Sequence, residues 1–339
     1  MKVALAANHG EFGGGEVMLM AIARALRDLD HEVQVVVPAT PDAVTNAARK
    51  EGFRTIAIHG EGAKAYLAGL RRWDARERDG LLWCNGLRPA LATAGHRNRI
   101  VHLHQLPTGP QTAAARVAVQ GARAVMVPSN WMQAQLGVPS QVLQNWTDPV
   151  EASRPTTEAP VRLGFLGRLS VAKGAIVLAE ALRLLEAETP GGHRLLVAGE
   201  SRFTSPADAQ ALTDAFRGLE HVMDRRRWMD RAEFFSSIDL AVFPSVFPES
   251  FGLVAAEAMA AGCPFVISDA GALPEVAGRD HRWVARTGDP RELARTIRLA
   301  VEQHTDEDTA NARARWESFY SPAAGRLRLE HLMAQLSEA

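Results

Sequence analysis

The chain has 339 residues, beyond the roughly 250–300 at which one hydrophobic core stops growing, so two domains are expected. Apolar residues make up 47% and charged residues 23%, which excludes a disordered or fibrous chain. A formal net charge of −1 argues against nucleic acid as a partner, and the two distant cysteines, Cys84 and Cys263, make neither a disulfide framework nor a metal-ligand spacing, which fits a reducing cytoplasm.

The opening MKVALAANHG holds an apolar run too short for a signal-peptide core and reads as a strand over Lys2–Ala7. It runs into NHGEFGGGE, where Gly13, Gly14 and Gly15 let the backbone approach a ligand closely. Their spacing is not the Gly-x-Gly-x-x-Gly of dinucleotide sites, which argues against a nicotinamide or flavin cofactor. Val17, Leu19, Met20, Ile22, Ala23 and Leu26 recur at helical spacing over Glu16–Leu29, with Glu16 supporting the helix start. Further strands are predicted at Glu32–Val37, Thr55–Ile58, Gly80–Cys84, Arg99–Leu103, Ala124–Val127 and Gln141–Leu143. Lys64, Arg71, Arg72 and Arg76 lie on a Leu- and Ala-rich stretch that reads as a solvated helix face or as an amphipathic helix suited to anionic lipid. His102 and His104 alternate onto one face at a strand end, either as a core pair or beside a site; metal binding lacks further ligands at telling spacing.

The proline-bearing segment Glu151–Pro160 reads as an exposed connection and sets the expected domains at 1–150 and 151–320. A second series follows: strand Val161–Leu166, helix Ala175–Glu186, strands Arg194–Ala198 and Asp239–Phe243, helix Phe251–Ala261 and strand Pro264–Ile267. This alternation predicts two α/β, doubly wound domains. A tail over 321–339 carries Leu327, Leu329, Leu332, Met333 and Leu336 on one helical face and is expected to pack back on the first domain. No run of about 18 apolar residues suited to spanning a bilayer occurs, which leaves peripheral membrane contact open.

Two stretches of the second domain point to chemistry. Strand Val161–Leu166 runs into Gly167-Arg-Leu-Ser-Val-Ala-Lys-Gly174, so Arg168 and Lys173 stand at a strand end, placed for a diphosphate unless they form only a solvated turn. In Ser245–Gly262 a Pro-Glu-Ser-Phe-Gly loop leads into a helix whose free amides and local positive dipole suit an anionic group. Glu249 precedes that helix and Glu257 lies inside it, eight positions on or roughly 12 Å at helical rise, about the span of a sugar diphosphate. A surface loop with a solvated Glu257 is the bland alternative, which the apolar context of Glu257 argues against. No Gly-Lys-Ser or Gly-Lys-Thr occurs, so a Walker-type ATPase is not indicated.

The Glu249-to-Glu257 spacing, the preceding Asp239–Ser245 (DLAVFPS) and the following Gly262–Ser268 and Gly271–Val276 resemble the signature of retaining glycosyltransferase family 4, the group 1 glycosyl transferases of GT-B fold. The resemblance implies two Rossmann-like domains facing a central cleft. It implies catalytic roles for Arg168, Lys173 and Glu249, and for His104 near the donor sugar, with His102 structural and the reverse assignment open. It places the backbone of Ser250, Phe251, Gly252 and Leu253 on sugar and phosphate, and Glu257 on the ribose. It adds Gly13, Gly14, Gly15, Gly167 and the Gly199–Glu200 loop to the donor site, with the base held near His221–Met223. Asn145 resembles the family's turn Asn, although Trp146 stands where the family usually has Gly.

The implied activity is transfer of a sugar, with retention, from a nucleoside diphosphate sugar to an acceptor hydroxyl. UDP is favoured over GDP or TDP, the acceptor is expected to be a small molecule or glycoside, and no metal or other cofactor is required. The alternatives are a nucleotide-sugar 2-epimerase of similar fold and a catalytically silent partner subunit. Base, sugar, acceptor, linkage and oligomeric state are not legible in the sequence.

Overall fold

The structure, a computed structural model, describes residues 1–153, 160–199 and 205–338. The chain divides into two units, Met1–Trp146 with Pro322–Ala339, and Thr147–Ser321. The first crossing falls after Trp146 rather than Val150, and most of the expected linker Glu151–Pro160, like Glu200, lies outside the described residues.

Unit 1 is built on seven strands, β1 (Lys2–Ala7), β2 (Glu32–Pro38), β3 (Arg54–Ile58), β4 (Leu81–Asn85), β5 (Arg99–His102), β6 (Ala124–Val127) and β7 (Gln141–Val142). All pairs are parallel, in the order β3-β2-β1-β4-β5-β6-β7. A central parallel strand is covered on both faces, which is why β1 and β4 are almost continuously apolar and why Leu5, between Val35 and Trp83, has no exposed surface. The order reverses direction between β1 and β4. In open α/β sheets ligands bind beyond the carboxyl ends of the strands at that reversal, here beside the Asn8–Gly13 loop and Gly86.

Among the described residues unit 2 repeats the plan with six strands, β8 (Val161–Leu166), β9 (His193–Ala198), β10 (Met223–Arg226), β11 (Leu240–Phe243), β12 (Phe265–Ser268) and β13 (Val284–Ala285). Their order is β10-β9-β8-β11-β12-β13, again all parallel, with the reversal between β8 and β11. The apolar pattern does not announce β10 or β13. The first is an edge strand, MDRR, whose charged side chains suit one-sided pairing, and the second is only two residues long.

The terminal helix Pro322–Glu338 belongs to unit 1, where Arg328 Nη2 donates to Gln144 O at 3.3 Å and Arg123 donates to Leu336 O. Trp146 is buried, and its indole lies so close to Gly325 of this helix that a Cβ there would overlap the ring. Glycine therefore stands inside the helix to admit the indole. At an exposed helical position Gly→Ala stabilises by about 1 kcal/mol. Here Gly325→Ala should instead destabilise by about 1–3 kcal/mol through overpacking, seen as a lower urea midpoint; a higher midpoint would show that the helix stands clear of Trp146.

Candidate active site

In unit 2 two loops meet at the β8/β11 reversal. The Gly167–Gly174 loop leaves β8 and the Pro244–Gly252 loop leaves β11. They are tied by the Val246 and Phe247 amides, which both donate to Ala172 O at 3.0 Å. Gly174 adopts φ 76°, and any Cβ there would overlap Pro244 O, so the loops lie together only with glycine at this position. Contact at this point brings Lys173 Nζ to 2.6 Å from Glu249 Oε1, which also accepts from Ser245 Oγ at 2.6 Å. The Glu249 backbone is fixed by Gly271, in a parallel bridge, and by the Ala272 amide at 2.8 Å. Side-chain exposures of 40% for Lys173 and 18% for Glu249 place this ion pair at the surface, where such pairs are worth about 0–1 kcal/mol, so an incoming anion can take over the lysine at small cost.

The helix after this loop starts at Leu253, not Phe251, so Glu257 lies one turn inside it. Gly252, at φ 101°, precedes the first turn, and no side chain caps it. Phe251 turns inward, edge-on to Tyr320 with ring centres 5.4 Å apart, whereas Ser250 and Leu253 are half-buried beside it. Glu257 is buried and its charge has a partner that the sequence did not disclose: Arg231 Nε donates to Oε2 at 3.0 Å. Burial pushes the Glu257 carboxyl above the usual range and Arg231 opposes the rise.

Gly167 and Gly199 stand side by side at the carboxyl ends of β8 and β9. The Gly167 amide donates to Ala198 O at 2.9 Å and the Gly199 amide to Arg226 O at 3.1 Å, and a Cβ on Gly199 would overlap Gly167 O. Arg168 follows, exposed. Met223 does not join this edge, because it begins β10 opposite Leu195, whereas Arg226 ends β10 opposite Ala198. The base expected near His221–Met223 would thus lie at the opposite end of β10 from Gly199. A groove of about 370 Å³ does run past Met223 and His221, but its cations are engaged, Arg162 with Asp239 and Arg194 with His221 O. Beyond Arg226 comes Trp228, 75% exposed, three residues before Arg231. Its signal in sequence was an aromatic inside a charged stretch, Arg225–Arg231.

In unit 1, Gly13 precedes the helix Gly14–Asp28 in extended conformation. Gly15 packs against His104, where a Cβ would stand 3.4 Å from the ring, and its carbonyl accepts from Asn85 Nδ2 at 2.8 Å. With the carboxamide oriented by that bond, Asn85 Oδ1 takes the Nε2–H of His104 at 2.8 Å, which assigns the tautomer. Burial holds His104 down to about 3, so the ring is neutral near neutral pH. His102 is fully buried between Trp83 and His104, with ring centres 5.7 and 4.0 Å away, and only His104 reaches the loop.

Glu16 does more than support a helix start. Its carboxylate folds back over the loop, accepting the His9 amide at 3.1 Å, and burial pushes it up to about 7 against the pull of backbone amides and Arg88. Arg88 was not singled out from the sequence: its amide donates to Asn8 Oδ1 and its Nη1 to His9 Nδ1, each at 3.0 Å. Lys64, Arg72 and Arg76 are exposed on the helix Gly62–Arg76, and Arg71 donates to Ala92 O. Among the described residues no helix is long and apolar enough to cross a membrane.

The profile described as glycosyl transferases group 1 matches residues 160–303, and that of glycosyltransferase family 4 matches residues 12–147. The chain is 26% identical over 306 residues to the phosphatidyl-myo-inositol mannosyltransferase of Mycolicibacterium smegmatis, across 78% of this chain and 74% of that one. It is 28% identical over 331 residues to the D-inositol 3-phosphate glycosyltransferase of Xylanimonas cellulosilytica, across 79% and 78%. In fold it resembles Anabaena HepE, solved with UDP and glucose, at a TM-score of 0.85 and 21% identity over 98% of this chain and 99% of that one. With one profile on each half of the chain and two parallel sheets of matching architecture, the chain belongs to the family 4, group 1 glycosyltransferases, enzymes of GT-B fold that draw on nucleotide-sugar donors.

Proposed function

We propose that this enzyme transfers a sugar from a UDP-sugar to a hydroxyl of a small-molecule or glycoside acceptor, with retention at the anomeric carbon. The observation that carries the reading is the cluster at the β8/β11 reversal, Lys173, Glu249 and Ser245 beside the uncapped helix start at Leu253. Lys173, Arg168 and the first-turn amides neutralise the departing diphosphate without a metal ion, the electrostatic stabilisation that commonly dominates such catalysis. Glu249, held by two donors, is set to accept from donor-sugar hydroxyls rather than to attack carbon. The bond from the anomeric carbon to the diphosphate breaks, the acceptor oxygen bonds to carbon on the same face, and the released phosphate oxygen takes the acceptor proton. Glu257 holds the ribose, and Trp228, at the carboxyl edge beyond Arg226, offers an indole face to the base. A solved structure of similar fold, Anabaena HepE with UDP-glucose, favours uridine.

Calorimetric titration with UDP, GDP, ADP, TDP and CDP tests the donor. UDP should bind, Glu257→Ala should abolish binding, and Trp228→Ala should weaken it about 5- to 100-fold, the usual worth of base stacking; binding of none of the five would end the nucleotide-sugar reading. Lys173→Ala should lower kcat about 10²- to 10³-fold, the scale of one transition-state donor, while the unfolding midpoint moves little because the pair it breaks is half-exposed. Glu16, raised from 4.5 to about 7, favours folding in its neutral form, so its contribution is complete below pH 4.5 and lost as pH rises through 7. Glu16→Gln should therefore gain on the wild type between pH 5 and pH 8, by on the order of 3 kcal/mol at most, in urea melts at each pH; parallel pH profiles would contradict the burial assigned to this carboxyl.

A further inference from the structure

Resting on that reading, we propose that Arg88, with His9 and Asn8, forms an anion subsite in unit 1 that takes a phosphate group carried by the acceptor. The subsite lies at the β1/β4 reversal, on the carboxyl edge where this fold class binds ligands. Two contacts build it: the Arg88 amide is pinned to Asn8 Oδ1 at 3.0 Å, and Gly86, at φ 120°, lies so close that a Cβ would stand 2.7 Å from the Asn8 side chain. The guanidinium is thereby delivered over the loop, where Nη1 donates to His9 Nδ1 at 3.0 Å.

Charge decides what this arrangement can take. Lys2 sits on Asp79, Arg24 on Glu51 and Arg78 on Asp74, while Arg71, Arg99 and Arg123 are taken up by backbone carbonyls. Arg88 has no carboxylate within ion-pair distance among the described residues; its partner is an imidazole that desolvation and Arg88 itself hold toward the neutral form, with Glu11 opposing. The nearby Glu16 carboxyl is buried and raised to about 7, so it offsets Arg88 only in part. With His9 Nδ1 accepting from Arg88, its Nε2–H is left as a second donor, and a guanidinium beside an N–H donor matches phosphate oxygens.

The test is histidine-resolved NMR on the full chain with UDP added to fill the donor site, the His9 signal being identified by its loss in His9→Gln. Millimolar inorganic phosphate should shift this signal saturably, and Arg88→Gln should weaken the response at least tenfold while UDP affinity stays unchanged. Two arms then separate the sources of the phosphate: glucose 6-phosphate against glucose, and phosphatidylglycerol vesicles against phosphatidylcholine vesicles. The arm that reproduces the shift names a soluble or a lipid-borne phosphate. No shift up to tens of millimolar phosphate, the same shift in Arg88→Gln, or a response to inorganic phosphate that neither arm reproduces would each overturn the subsite. Failure of UDP to bind in the same samples counts against the donor reading instead, since His9 reports unit 1 alone.

Discussion

The closest constraint in unit 2 is the backbone contact between Gly174 and Pro244, because the placement of the charged groups follows from it. Any side chain at position 174 would drive the two loops apart, and the Val246 and Phe247 amides would lose the Ala172 carbonyl they share. Lys173, the residue before that glycine, would then leave Glu249. A weak ion pair could not resist such a separation, since an exposed pair contributes about 1 kcal/mol or less. Steric fit and shared backbone hydrogen bonds hold the loops, and the charges follow. The same division of labour recurs at Gly271 against the Glu249 backbone and at Gly199 against Gly167 O.

Glu249 and Glu257 differ in the way their surroundings require. Glu249 is accessible and held by a half-exposed lysine and a hydroxyl, so it can exchange partners with a ligand. Glu257 is buried, and without Arg231 its desolvation would cost several kcal/mol or force it to stay protonated. Arg231 thus carries the anionic form of Glu257, and its place at the start of the helix after Trp228 links that carboxylate to the loop beyond β10.

Much of this was legible in the sequence. Glycines and charged residues at the ends of apolar runs disclosed both loops, Lys173, Glu249 and the alternation of strands and helices, because local backbone requirements write themselves into local composition. What escaped depended on pairing across the fold. Arg231 acquires meaning only opposite Glu257, and Arg88 only where β4 lies beside β1. The edge strand β10 carries no apolar period to reveal it, so the sequence could not show that Met223 and Arg226 stand at opposite ends of one strand in register with β9. Trp146 departs from the family pattern for a reason no local signal could supply: its indole is accommodated by Gly325 in the terminal helix.

The neutral histidines bear on where the acceptor proton goes. A general base works best with a pKa near the working pH, and His104, held down to about 3, is too weak a base to take a proton from an alcohol. His102 is likewise held well below the usual imidazole range by burial and lies in the core. Glu249 already accepts from Lys173 and Ser245, and Glu257 is committed to Arg231. Of the side chains expected to be catalytic, none is a free base of suitable strength; Glu16, raised to about 7, is buried and holds the His9 amide. A proton acceptor must then come from outside these side chains, which is what supports the proposed transfer to the departing diphosphate.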